Sequence, residues 1–141
     1  MSHLSAVHHL ATATNDLARM TSFYKEAFDL DPKPRFPMES PEGTIAFFDI
    51  GGVELQISES GTIEPAPADM PAVLLQKDLR LDHVTFQIDD VDTFATVREN
   101  LMRLGASDGN AVDFQGQGLL AFKDPDGHIM EVICPAGVPS T

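Results

Sequence analysis

The sequence predicts an α+β fold. Two copies of one βαβββ module supply curved, mostly antiparallel sheets around a cleft. Three observations predict it. The first is an internal repeat. Ile45–Ile57 (IAFFDIGGVELQI) lies on Leu120–Val132 at a shift of 75 positions, matching Ala46 to Ala121, Phe47 to Phe122, Asp49 to Asp124 and Gly52 to Gly127. A second pair of segments repeats at a shift of 74, setting His9 on His83 and Asp16 on Asp90. The second observation is a change of hydrophobic period inside each copy, from the two-residue period of a strand to the 3.6-residue period of a helix and back. The third is turn chemistry at matching places: Gly51-Gly52 in one copy and Asp124-Pro125-Asp126-Gly127 in the other, each flanked by apolar runs.

The elements follow in order. Ala6–Ala13 reads as a strand with His9, Ala11 and Ala13 on one face. Asn15 or Asp16 supplies an N-cap for a helix over Leu17–Phe28, whose apolar stripe is Leu17, Met20, Phe23, Tyr24 and Phe28. Leu30–Glu42 carries four prolines and reads as extended chain with the character of an edge strand. Strands over Thr44–Ile50 and Val53–Ser58 close the first module, which runs from about residue 5 to 58. Residues 59–80, with Pro65, Pro67 and Pro71, form the connection, with a short helix around Ala72–Lys77. The second module covers about residues 81–135 and completes one domain. Its parts are a strand over Leu81–Ile88, a helix from Val91 to Leu104 ended by Gly105, an edge strand within Ser107–Phe114, a loop at Gln115–Gly118 and a hairpin over Leu119–Ile133.

Composition bounds the partners. With 141 residues, 43% of them hydrophobic, the chain can bury a real core. A formal net charge of −13 disfavours nucleic acid and anionic membrane surfaces. The lone cysteine, Cys134, excludes an internal disulfide and reads as a small buried hydrophobe. No apolar run reaches membrane-spanning length and no basic-then-apolar signal opens the chain, so a cytoplasmic protein is the expectation.

Strand phase sorts the chemistry. Helices need an apolar surface to cover, so Val53, Leu55, Ile57, Val84, Phe86 and Ile88 are expected to face them. The opposite face then collects His9, Glu54, Gln56, Ser58, His83, Thr85, Gln87 and Glu131. A carboxylate among apolar neighbours, such as Glu131, is costly to bury without a partner. A lone strand histidine is more often structural than a ligand. Here two histidines and two oxygen donors occupy repeat-equivalent positions: His9 with Gln56, and His83 with Glu131. Such a mixed nitrogen and oxygen set suits a borderline divalent ion: Zn, Ni, Co, Mn or Fe. His8, out of phase, is expected to point toward the helix layer or a strand end. His3 is read as unstructured and His128 as a turn residue.

These residues resemble the vicinal oxygen chelate superfamily, which includes glyoxalase I, methylmalonyl-CoA epimerase, extradiol dioxygenases, and fosfomycin and bleomycin resistance proteins. The resemblance is carried by VHHL…NDL…FY, GGVELQI, LDHVTFQIDDV and FKDPDGHIMEV, nearly the whole chain apart from the connection. It implies paired βαβββ modules and a metal in the cleft held by His9, Gln56, His83 and Glu131. The ligand set is most similar to that of methylmalonyl-CoA epimerases, although DPDGH replaces the lysine-containing turn typical of them. Basic residues suited to glutathione carboxylates are missing. The functional expectation is a metal-dependent isomerase or lyase acting beside the carbonyl of a small substrate through an enolate. Its base would be Glu131, if it leaves the metal, or Glu54. An extradiol-type dioxygenase using two His and one Glu, and a non-catalytic antibiotic or small-molecule binder, are the alternatives. For the binder, Phe36, Phe47, Phe48, Phe114 and Phe122 are either cleft-lining or ordinary core residues. A homodimer is expected, because a single curved sheet leaves edges to cover.

Overall fold

The computed structural model describes residues 2–4, 6–33, 38–40, 43–59 and 83–139. The chain falls into two compact units, Met1–Glu64 and Pro65–Thr141. Unit 1 contains β1 (His9–Thr14), α1 (Leu17–Phe28), β2 (Met38–Ser40), β3 (Gly43–Ile50) and β4 (Val53–Glu59). Unit 2 contains β5 (Val84–Gln87), α2 (Val91–Arg103), β6 (Val112–Phe114), β7 (Gln117–Lys123) and β8 (Ile129–Cys134). Both are βαβββ units. Their sheets run β1-β4-β3-β2 and β5-β8-β7-β6. In each, the first and last strands pair in parallel and the other two ladders are antiparallel. Neither described helix is long and apolar enough to cross a membrane.

Capping fixes the helix starts. The Asp16 side chain accepts from the Arg19 amide at 2.9 Å, and Asp90 accepts from the Thr93 amide at 2.8 Å. Of the two candidates for the first cap, Asp16 is the one used. The α1 end also receives Glu59, whose Oε2 accepts from the Leu17 amide at 2.7 Å, an anion at the positive end of a helix. Glu59, expected in the connection, belongs to β4. The α2 end closes on Gly105 at φ 69°, with Ala106 N–H on the Leu101 carbonyl and Gly105 N–H on that of Met102.

The cores lie on the predicted faces. Leu17, Met20, Phe23 and Tyr24 of α1 are buried, as are Ala46, Phe48, Leu55 and Ile57 of the sheet. In unit 2, Phe94, Val97 and Leu101 of α2 are buried with Leu120, Phe122, Met130, Val132 and Cys134. Among the phenylalanines weighed for a cleft, Phe48 and Phe122 are core residues with no exposed surface, whereas Phe114 is 56% exposed. Phe36 lies outside the described residues, as do the connection from residue 60 to 82 and the helix expected at Ala72–Lys77.

Expectations about strands change in both units: β1 begins at His9 rather than Ala6, and two stretches of unit 2 are redrawn. The edge strand in unit 2 is confined to Val112–Phe114, because the backbone from Ala106 to Ala111 bonds irregularly: the Lys123 amide donates to the Ala106 carbonyl, and Ala111 closes on Gly109. The loop expected at Gln115–Gly118 is a two-residue turn. Gln115 and Gly116 both have positive φ (55° and 83°), as do Gly51 and Gly52 (58° and 90°), which is the backbone of tight hairpins. Gln117 and Gly118 therefore belong to β7.

The repeat also shifts within each hairpin. Phe47 pairs with Gln56 in unit 1, but Ala121 pairs with Glu131 in unit 2. So β3 corresponds to β7 at a shift of 74, while β4 corresponds to β8 at 75. The structural partner of Phe122 is Phe48, with which it shares the helix-facing side, not Phe47 as the sequence match has it. The extra residue lies in the turn at 124–128, where the first hairpin has only Gly51-Gly52.

Candidate metal centre

Each unit presents one imidazole together with oxygen donors on the sheet face away from its helix. In unit 2, β5 and β8 place Thr85 beside Glu131 in the ladder, and His83 stands two residues earlier, in phase with Thr85. His83 Nε2 lies 3.8 Å from Glu131 Oε1, and the Thr85 hydroxyl donates to the same oxygen at 3.0 Å. Glu131 is 7% exposed. Its burial is thus answered by a hydroxyl donor and a neighbouring imidazole. In unit 1, the parallel ladder pairs His9 with Glu54 and Ala11 with Gln56, so His9 again stands one step back from the oxygen donor on the same face. Diagonal neighbours of this kind lie within reach of long side chains.

Around Gln56 the contacts differ. Its Nε2 donates to Glu54 Oε1 at 2.9 Å, and Glu54 Oε2 accepts from Lys33 Nζ at 2.6 Å. Lys33 reaches this face because its own amide donates to the carbonyl of Phe47, the β3 residue paired with Gln56. His9 is exposed, and its Nδ1 lies 2.8 Å from Nδ1 of His8, the two rings meeting edge to face. His8 is therefore at the strand end, not against the helix. His3 is exposed in a bend.

Among the described residues no cluster of three His, Cys, Asp or Glu stands ready for a metal. The described donors come as two pairs, one per unit. The unit 2 pair fits a shared ion chemically: two donors bound to one ion at 2.0–2.2 Å stand about 3–4 Å apart, and His83 and Glu131 are already 3.8 Å apart.

Sequence reasoning missed two residues. Thr85 was placed on the right face without a role. Its position directly across from Glu131 in a parallel pairing was the available signal. Lys33 carried no signal, because it sits in irregular chain where no period predicts direction.

His128 is a turn residue, as expected, and the turn is a knot around Asp124. One carboxylate oxygen of Asp124 accepts from the Asp126 and His128 amides at 3.0 and 2.9 Å, and the other lies 2.5 Å from His128 Nδ1. The Asp124 hydrogen bond raises the His128 pKa above its ordinary 6.5, against an opposing effect of burial. A folded-state pKa above the unfolded one means the contact stabilises most below the unfolded value and loses its contribution as pH rises through the folded one. Urea midpoints should therefore separate wild type from His128→Asn most at mildly acidic pH, with the gap closing on the alkaline side. A gap that widens with pH would contradict this ion pair.

The family model for the Glyoxalase/Bleomycin resistance protein/Dioxygenase superfamily matches residues 6–132, nearly the whole chain. The chain belongs to that superfamily. Within the glyoxalase superfamily it is similar to the metallothiol transferase FosB of Shouchella clausii (strain KSM-K16), at 28% identity covering 92% of this chain and 80% of that protein. Its fold matches a glyoxylase/bleomycin resistance protein/dioxygenase domain from Frankia sp. EAN1pec, with a TM-score of 0.71 and 21% identity over 93% of this chain and 98% of that one. It also matches the lactoylglutathione lyase of Agrobacterium tumefaciens, with a TM-score of 0.64 and 20% identity over 96% and 97%. At these identities the two structures speak for the glyoxalase fold alone.

Proposed function

We propose that the chain is a divalent-metal-dependent isomerase or lyase of glyoxalase type, acting on a small carbonyl or acyl substrate through an enolate. The observation that carries the reading is that His83 Nε2 stands 3.8 Å from Glu131 Oε1 in unit 2, with His9 and Gln56 at the repeat-equivalent positions in unit 1. His9, Gln56, His83 and Glu131 would hold the ion, as in the methylmalonyl-CoA epimerase pattern. The relative named metallothiol transferase supports metal-linked chemistry on this scaffold.

With two neutral imidazoles, a neutral amide and one carboxylate, a bound dication would leave a site charge of about +1, which favours negative charge developing on a substrate oxygen. The chain's own task is the proton. Glu131 is assigned to it once it leaves the ion: Thr85 holds Oε1, and Oε2 makes no hydrogen bond among the described residues. Glu54, the other carboxylate considered as base, has its oxygens on Lys33 and Gln56, and a different role is argued for it below. A homodimer is part of the same proposal.

The deciding experiment measures the metal content of the purified protein together with exchange of α-protons in D2O across small carbonyl and acyl-thioester compounds. Bound Zn, Co, Ni or Mn with exchange is the expected result. Iron with oxygen uptake would instead establish the dioxygenase, and ligand binding without turnover in any metal form would establish a binder.

A further inference from the structure

We propose that Lys33 and Glu54 form a positioning relay that fixes which end of the Gln56 amide is offered to a metal. The inference rests on Gln56 being a ligand, as proposed above. An amide carries a donor end and an acceptor end on one rotatable group, and only its oxygen serves a cation. A carboxylate can only accept, so Glu54 Oε1 at 2.9 Å must face the Gln56 NH2. Gln56 Oε1 is thereby turned away from Glu54, and it makes no hydrogen bond among the described residues.

Glu54 is itself held. Lys33 Nζ takes its second oxygen at 2.6 Å, with both side chains partly buried, at 32% and 16% exposed. Lys33 is anchored by its amide to the Phe47 carbonyl, at the ladder position of Gln56.

The second unit shows why the first needs this device. At the equivalent anchor, Ser107 donates its hydroxyl to the Ala121 carbonyl, level with Glu131. There the oxygen donor is a carboxylate, whose two ends are alike, and the Thr85 hydroxyl from β5 is enough to orient it. The β1 residue level with Gln56 is Ala11, which has nothing to offer. An amide flanked by alanine would be free to present either end, so the orienting partner comes from its own strand and from Lys33. Outer partners of this kind are worth roughly 10–100-fold in metal affinity.

The test is Co2+ titration of the purified protein by visible absorbance, alongside thermal melting to verify folding. In Glu54→Gln, Lys33 takes the new amide oxygen, so the new NH2 faces Gln56 and draws its oxygen inward. Co2+ affinity is expected to fall about 10- to 100-fold. In a Gln56→Glu background, where either end of residue 56 is an acceptor, the same Glu54→Gln change is expected to leave affinity unchanged or higher. A purely structural Glu54 would weaken both backgrounds alike, and that result overturns the relay. So does wild-type affinity in Glu54→Gln when Gln56→Ala has lost it. Wild-type affinity in Gln56→Ala removes the ligand itself, and with it both the metal reading and the relay. Should Glu54→Gln fail to fold, the Lys33 pair decides. Lys33→Met should weaken Co2+ and Lys33→Arg should retain it, and equal affinities in the two would overturn the proposal.

Discussion

Glu131→Gln is expected to lower Co2+ or Zn2+ affinity by about a hundredfold or more and to abolish α-proton exchange. Outer partners alone are worth roughly 10–100-fold, and this change deletes the one anionic member of the proposed ligand set. It also removes the group assigned to the proton. The fold should survive, because the new amide oxygen can still accept from the Thr85 hydroxyl that now lies 3.0 Å from Glu131 Oε1. Loss of metal with an unchanged melting curve of the apo protein is therefore the expected pair of readings. Wild-type metal affinity in this variant would sink the metal assignment and the chemistry built on it.

Phe122→Ala is expected to destabilise unit 2 by about 3–5 kcal/mol. The ring has no exposed surface and packs 6.5 Å, centroid to centroid, from Phe86. It stands across the ladder from Met130, itself buried. Truncation removes apolar burial and leaves a cavity that two strands cannot close. Against a total stability of typically about 5–15 kcal/mol, that brings the unit close to unfolding. Phe114→Ala is the control: its ring is 56% exposed, and a surface truncation should change the unfolding free energy by about 0.5 kcal/mol or less. Equal effects for the two phenylalanines would show that the core has been assigned to the wrong face.

The sequence made the two-module plan legible because both periods and both turns occur twice. The helix stripes and the helix-facing strand residues followed from alternation alone: Leu55 and Ile57 are buried with Leu17, Met20, Phe23 and Tyr24, whereas Val53, Val84, Phe86, Ile88 and Phe28 are only half-buried. What alternation could not supply was the pairing of one strand with another. Matching Phe47 to Phe122 aligned letters across hairpins whose equivalent paired positions differ by one residue in spacing, and so set together two rings that face opposite ways. The candidate donors were legible unit by unit, because His9 keeps strand phase with Gln56 in one sheet and His83 with Glu131 in the other. Their supporting contacts were not. Thr85 on Glu131 needs the register of a parallel pair separated by 46 residues, and Lys33 on Glu54 needs the path of an irregular segment.

The five residues 124–128 are where this chain tolerates a change of length. A codon gained or lost there alters the knot around Asp124 but leaves every strand residue on its own side of the sheet. A codon lost between 118 and 123 would do the reverse. It would carry Leu120 and Phe122 out of the core and turn Ala121 inward, because one step along a strand exchanges its two faces. The two halves of the chain differ in length at the one kind of place where such a difference keeps both the core and the donor face intact. Serial single-codon deletions through the second hairpin should accordingly be soluble in the turn and insoluble in β7.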